Sequence, residues 1–145
     1  MSKVVHISEA ASIAIHSLAI IASSPVKINA KQIAKLTGSS LNHLSKVMQL
    51  LVKNNYLSSD RGPSGGFLMR KPSNEITLLE IYEYIEGTIS CNFCGIPEEK
   101  CPFVICVFGT KAEIFSTEFV TYLKNTKISD LITKQNIYAT KNNSD

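Results

Sequence analysis

All four cysteines of this 145-residue chain fall within sixteen residues, at Cys91, Cys94, Cys101 and Cys106. Thiolates are soft ligands, and four of them can hold either a zinc ion or an iron–sulfur cluster. Only the first pair has the two-residue spacing of a zinc knuckle, because the later gaps are six and then four residues. This irregular spacing favours an iron–sulfur cluster, of the 2Fe-2S or 4Fe-4S type. Zinc, and redox-active thiols or a disulfide without a metal, are the alternatives.

The expected compartment of the protein also favours metal binding over disulfide bonds. No apolar run reaches the length of a membrane span, and the N-terminal sequence lacks the cleavage pattern of a secretory signal. We therefore expect a cytoplasmic protein with no membrane partner. Thiols stay reduced in the cytoplasm, so a tight cysteine cluster there is more often a metal site than a set of disulfides.

Charge is distributed unevenly along the chain, although the net charge is only +3. Residues 27–71 contain eight Lys or Arg and one acidic residue, a net charge of +7. Residues 72–118 contain two Lys and eight Glu, a net charge of −6. This contrast indicates a half that binds a polyanion and a second half with another role. A solvated basic face without a partner is the simpler alternative.

The basic segment also carries the pattern of two short helices joined by a tight turn, which is a helix-turn-helix motif. A more apolar helix over residues 8–23, capped by Ser8, precedes it and is predicted to be buried. The elements of the motif are a cap at Asn29, a helix over 30–36, a turn at 37–39, a cap at Ser40 and a helix over 41–54.

A β-hairpin is predicted directly after the second helix. Residues 56–59 and 67–69 have the composition of strands, and residues 61–66 form a turn rich in glycine and proline. A hairpin in this position is a wing. Its glycines allow close approach to a phosphate backbone, and Arg61 suits the negative potential of a narrow minor groove. A plain surface hairpin is the alternative.

The remainder of the chain is predicted to be helical on both sides of the cysteine loop. Thr77 caps the helix before the loop, with Glu80 completing a capping box. A longer helix over about 104–124 follows the loop and carries an apolar stripe. A chain this small leaves little to cover that stripe, so we predict a homodimer seam, with packing inside one chain as the alternative. The predicted seam residues are Val107, Phe115, Phe119 and Leu123.

The predicted fold class is thus mainly α with a small β-hairpin wing. A winged helix-turn-helix DNA-binding domain occupies residues 1–75, and residues 76–135 contain the cysteine loop and a long C-terminal dimerisation helix. The Lys-, Asn- and Ser-rich residues 136–145 are predicted to be a disordered tail.

Several stretches resemble the Rrf2 family of bacterial winged-helix regulators, over roughly residues 3–135. The most specific is the wing, 58–67, in which Arg-Gly-Pro-x-Gly-Gly precedes an aromatic residue; the others are 41–44, 76–81 and the cysteine loop. The resemblance implies that the second helix enters the major groove and the wing reaches the minor groove. The Asn, Ser and His side chains on the second helix can donate and accept hydrogen bonds, so they can read base edges. For His43, the alternative is a surface histidine without a DNA contact. The implied DNA contacts are Ser40, Asn42, His43, Ser45, Lys46, Arg61 and Gly62.

The resemblance also implies an iron–sulfur cluster held by three cysteines, which correspond here to Cys94, Cys101 and Cys106. Some members add a histidine three residues after the last cysteine, where this chain has Gly109. Others borrow a carboxylate from the first helix of the partner subunit; the nearest aligned position in this chain is Ala11, and Glu9 and Ser12 lie close to it. We therefore predict that Cys91 is the fourth ligand.

The predicted function is DNA-binding transcriptional regulation, as a repressor that binds a double-stranded operator as a homodimer. An iron–sulfur cluster that senses redox state, iron or nitric oxide would control this binding. One alternative is a metal-free regulator that responds to a metabolite, a partner protein or oxidation of its thiols. An enzyme with a reactive thiol is disfavoured, because no histidine or carboxylate neighbours the cysteines in a nucleophile–base pattern.

Overall fold

The computed structural model describes residues 5–90 and 94–132. Cys91 and the tail predicted to be disordered lie outside these residues. Three short 3-10 turns accompany the main elements, at Ser73–Glu75, Glu98–Lys100 and Ile128–Leu131. In chain order, the helices and strands are α1 Glu9–Ser23, α2 Ala30–Thr37, α3 Leu41–Lys53, β1 Leu57–Asp60, β2 Gly66–Met69, α4 Leu78–Glu86 and α5 Lys111–Asn125.

Polar caps begin the first three helices as predicted. The side chains of Ser8, Asn29 and Ser40 each accept a hydrogen bond from the backbone N–H three residues later, at 3.0, 3.0 and 3.2 Å. Each bond satisfies a helix N–H that has no partner within the helix, which stabilises the helix by about 1 kcal/mol. Gly38 ends α2 with a φ of +69°, a left-handed conformation that glycine adopts without strain. The turn between α2 and α3 therefore follows from local sequence.

The core surrounds α1, which packs against α2, α3, α4 and β2. The buried face of α3 lies against α1, so its opposite, exposed face is left for contacts outside the chain. The start of α4 and the end of α5 are also joined, because Leu78 N–H donates to Thr126 C=O at 2.9 Å. The buried residues of α1 and α3 include Ile13, Leu18, Ile21, Leu44, Val47, Met48 and Leu51.

The wing is a two-stranded antiparallel hairpin, in which Leu57 lies opposite Met69. The link before α2 runs along its edge, and Phe67 N–H donates to Ile28 C=O at 2.9 Å. A Cβ added to Gly66 would lie 2.9 Å from the Ile28 carbonyl, and one on Gly65 would lie 2.4 Å from the Asp60 carbonyl oxygen. Paired glycines are therefore needed for the close approach of these backbones.

The helix predicted over 104–124 begins later than expected, at Lys111. Gly109 adopts a φ of +62°, and its N–H donates to Cys106 C=O at 2.9 Å, closing a turn just before the helix. A left-handed residue cannot continue a right-handed helix. Val107 therefore lies in the cysteine loop and not on the helix, which corrects its predicted place on the apolar stripe.

Within residues 5–90 and 94–132, no helix combines the length and the apolar character needed to cross a membrane.

Candidate functional site

The exposed face of α3 presents most of the predicted major-groove residues. Asn42 and Lys46 are exposed one turn apart, and Ser40 is exposed at the N-terminal cap of the helix. Ser45 is half-buried, and its hydroxyl donates to Leu41 C=O at 2.7 Å. Its oxygen thus keeps only acceptor capacity for an outside partner. The structure brings these side chains together at the N-terminal end of α3.

His43 differs from its neighbours because it faces the first turn of α1. Its Nδ1 lies 3.4 Å from Oε2 of Glu9, and the two form an ion pair when the imidazole is protonated. Sequence reasoning missed this pairing, because the two residues lie on different helices and no local pattern links them. The contact connects the N-terminal half of α3 to the first turn of α1.

The wing turn exposes Arg61 and Gly62 to solvent. Gly62 has a φ of +102°, which residues other than glycine rarely adopt. The neighbouring Asp60 is the acidic residue of the basic segment, and its carboxylate pairs with Lys27. The wing is thereby held against the link that precedes α2.

Most cations of the basic segment are free for an outside anion. Lys27 pairs with Asp60, and Lys71 pairs with Glu80 at 2.7 Å. The other six are exposed and have no ion-pair partner within the part of the chain that the structure describes. Unpaired surface cations of this kind are what a phosphate backbone attracts. They are Lys31, Lys35, Lys46, Lys53, Arg61 and Arg70.

The cysteine loop connects α4 to α5. Cys94 and Cys101 are half-buried, and Cys106 is exposed. Among the described residues, which exclude Cys91, no three His, Cys, Asp or Glu side chains converge in an arrangement that could hold a metal ion. The donor chemistry nevertheless fits an iron–sulfur cluster, whose usual ligands are cysteine thiolates. These residues share one loop, and a cluster would have to draw them together.

The predicted dimer residues separate into different environments. Phe115 is 56% exposed on α5, whereas Leu123 is 4% exposed in the core of its own chain, which removes it from the predicted seam. Phe119 is half-buried and meets Tyr82 of α4 edge-to-face, with ring centroids 6.5 Å apart. Phe115 and Phe119 line an open, mostly apolar pocket of about 700 Å³, which α4, α5, residues 87–90 and the N-terminal residues 5–6 enclose. Exposed Ile114 and Tyr122 extend the apolar surface of α5 and were not predicted.

A polar network on α4 was also missed. The Glu80 side chain does not complete the predicted capping box; its Oε1 accepts hydrogen bonds from Tyr56 Oη at 2.8 Å and Lys71 Nζ at 2.7 Å. Burial, and then the hydrogen bond to Glu80, raise the pKa of Tyr56 well above its usual value. The partners lie 24 and 9 residues away, so no short sequence pattern could reveal them. The network joins α4 to the two chain segments at the base of the wing, before β1 and after β2.

Comparison with known sequences identifies the class of protein. The sequence model of the Rrf2 family, described as an iron-dependent transcriptional regulator, matches residues 7–134. An HTH-type transcriptional regulator of Aquifex aeolicus is 31% identical over 108 residues, 72% of this chain and 75% of that protein. IscR of Pectobacterium atrosepticum is 26% identical over 105 residues, 72% of this chain but only 64% of IscR. These relatives are transcriptional regulators and not enzymes, which confirms the prediction against a thiol enzyme.

Comparison with solved structures supports the same conclusion at the level of fold. CymR (YrzC), the global cysteine regulator of B. subtilis, matches 91% of this chain and 99% of its own, with a TM-score of 0.72 and 21% identity. This likeness confirms the predicted fold class, mainly α with a β-hairpin wing. Because the family model covers nearly all of the sequence, the chain belongs to the Rrf2 family of transcriptional regulators.

Proposed function

We propose that this transcriptional regulator is a repressor that binds its operator as a homodimer and is controlled by its cysteine loop. The observation that carries the proposal is the direct connection of that loop to α4, the helix that is hydrogen-bonded to the wing. We assign DNA reading to residues 1–75 and regulation and dimerisation to residues 76–135. The two parts share one core, so this division is functional and does not separate independently folding units.

In the proposed complex, the N-terminal end of α3 lies in the major groove. Asn42 would read a base edge, and Lys46 would contact bases or phosphate. Ser40, His43 and Ser45 border this contact, while Arg61 and Gly62 would enter or flank the minor groove. The exposed, unpaired cations support this orientation because they lie in the same segment as α3 and the wing.

The test of DNA binding uses a duplex selected from a randomised library on the immobilised protein. Its dissociation constant should rise steeply with salt, because Lys and Arg contacts release counterions from the phosphates. Lys46→Gln should lower the salt slope by about one, as expected for loss of one phosphate contact. The control Lys124→Gln removes an exposed charge from α5 and should leave the slope unchanged. A flat salt response would contradict the proposal.

We further propose that the cysteine loop holds an iron–sulfur cluster. Cys94, Cys101 and Cys106 would be ligands, with Cys91 as the fourth, and the family description as iron-dependent supports a metal-containing regulator. A bound cluster supplies a centre whose oxidation, nitrosylation or loss changes the charge and order of the loop. Iron and sulfide analysis and the absorption spectrum of protein purified without oxygen test this. A colourless, iron-free protein after anaerobic reconstitution would exclude the cluster.

Control through the thiols alone is the second candidate function. Cys106 is exposed, and exposed thiols are open to oxidation when their thiolate is accessible. In this case the iron-free protein would bind DNA, and a mild oxidant would change its affinity reversibly. The two candidates differ in colour and metal content, so the same anaerobic preparation separates them.

A further inference from the structure

We infer that Glu80 is a positioning residue for DNA recognition. Through Glu80, α4 fixes the base of the wing relative to the C-terminal end of α3. The inference rests on the proposed function, because it assumes that α3 and the wing contact DNA together. It concerns a residue outside the DNA-facing surface, which acts through the elements that it holds.

The hydrogen bonds to Glu80 have short distances and are partly shielded from solvent. One carboxylate oxygen accepts from both Tyr56 Oη and Lys71 Nζ, at 2.8 and 2.7 Å. Tyr56 is 7% exposed, and the side chains of Lys71 and Glu80 are 34% and 33% exposed, so solvent competes only in part. Hydrogen bonds to an ionised group in such surroundings are stronger than those of a fully exposed pair.

The two donors are the anchors of the wing. Tyr56 immediately precedes β1, and Lys71 is separated from the end of β2 by one residue, Arg70. The backbone closes the same point, because Arg70 N–H donates to Tyr56 C=O at 2.9 Å. A four-residue strand spans roughly 13 Å, so a small tilt at this base is enlarged at Arg61 in the turn. Glu80 thus controls the direction in which the wing projects.

Helix α4 also contacts the C-terminal end of α3. Tyr84 Oη donates to Leu50 C=O at 3.1 Å, and its ring lies 5.9 Å from that of Tyr56, centroid to centroid. One turn of α4 therefore contacts both DNA-facing elements, through Glu80 and Tyr84. Because α4 ends at Glu86 and the cysteine loop follows, a change in that loop would reach the wing and α3 through one helix.

The test compares Glu80→Gln with Glu83→Gln. The first keeps the shape and an oxygen for Tyr56 but removes the charge that holds Lys71. The second removes an equal charge from α4, where the carboxylate has no ion-pair or hydrogen-bond partner among the described residues. The selected duplex is the probe, with its dissociation constant, hydroxyl-radical protection of the minor groove and dimethyl sulfate protection of the major groove as readouts.

Glu80→Gln should weaken binding roughly three- to tenfold, the range expected when part of a charged hydrogen bond is lost. It should lose protection of the minor groove under the wing and keep protection of the major groove under α3. Lys71→Gln should do the same, and the exchanged pair Glu80→Lys with Lys71→Glu should restore the lost protection. Glu83→Gln should resemble the wild type.

Two outcomes would overturn the inference. The first is that Glu80→Gln does not differ from Glu83→Gln in either groove. The second is that it loses both protections together, as a generally destabilised protein would. If Glu80→Gln fails to fold, Lys71→Gln gives the same comparison from the more peripheral partner, and retained wing protection there would also overturn it. A wild type that protects neither groove of any selected duplex would instead contradict the proposed function.

Discussion

Arg61 is exposed at the turn of the wing, beside the Lys27–Asp60 pair that holds the hairpin in place. In the proposed complex its guanidinium lies in the minor groove, and Arg61→Ala should cost about 1–3 kcal/mol of binding to the selected duplex. Binding to a random duplex should weaken much less. Arg70→Ala, which removes an exposed cation at the other end of β2, should weaken both equally. Equal losses on both duplexes for Arg61→Ala would argue against a groove contact.

Cys91 separates the possible ligand sets of the proposed cluster. If its thiolate is the fourth ligand, Cys91→Ser should alter the absorption spectrum and speed cluster loss. Ser at Cys94, Cys101 or Cys106 should abolish the cluster or severely destabilise it. An unchanged spectrum in Cys91→Ser would mean that the ligand comes from elsewhere, with Glu9 or Ser12 of the partner subunit as the next candidates. Recruitment of Glu9 would also break its contact with His43.

Side-chain hydrogen bonds were predictable from the sequence only where donor and acceptor lie close along the chain. The caps at Ser8, Asn29 and Ser40 were predictable, because each bond spans three residues. Glu80 also follows Thr77 at the spacing of a capping box, but Tyr56 and Lys71 compete for its carboxylate from distant positions. A local pattern identifies the nearby backbone partner of a side chain. It cannot identify a competing partner that only the tertiary fold places within hydrogen-bond distance.

At the scale of elements, α5 carries the proposed dimer surface. Phe115 is more than half exposed, and Ile114 and Tyr122 continue the apolar surface along the helix. Phe115→Glu should place a charge in the seam and shift the protein from dimer to monomer, or destabilise it, because an unpaired charge is costly to bury. Size-exclusion chromatography with light scattering measures this, and exposed Thr117→Glu is the matched control. A folded, fully dimeric Phe115→Glu would place the interface elsewhere.

Element positions were predicted well where periodicity and turn chemistry are strong. The helix-turn-helix and the wing appear within a few residues of their expected bounds. The start of α5 was misplaced, because the apolar residues 103–108 resemble a helix face while the left-handed Gly109 interrupts it. Leu123 was assigned to the seam because periodicity identifies an apolar face without saying which molecule covers it.

At the scale of the whole molecule, α4 connects the two proposed activities. It is hydrogen-bonded to the wing and to α3, it contacts α5, and its C-terminal end leads into the cysteine loop. Ser8, the cap of α1, also donates to the carboxylate of Glu86 at that end. A change of charge or order in the loop can therefore shift the equilibrium between DNA-binding geometries, provided that the two loop states favour different placements of α4.

The most direct test is the affinity of the anaerobically purified protein for one selected duplex, measured in two states. The first state is the protein as purified. The second is the same protein after a chelator and an oxidant have removed the cluster and a reductant has restored the free thiols. The account predicts a change in Kd of roughly tenfold or more, which corresponds to about 1.4 kcal/mol of coupling. A variant with Ser at Cys94, Cys101 and Cys106 should bind the duplex with the same Kd before and after the treatment. Tight, salt-dependent binding by the wild type with an identical Kd in both states would contradict control by the cysteine loop.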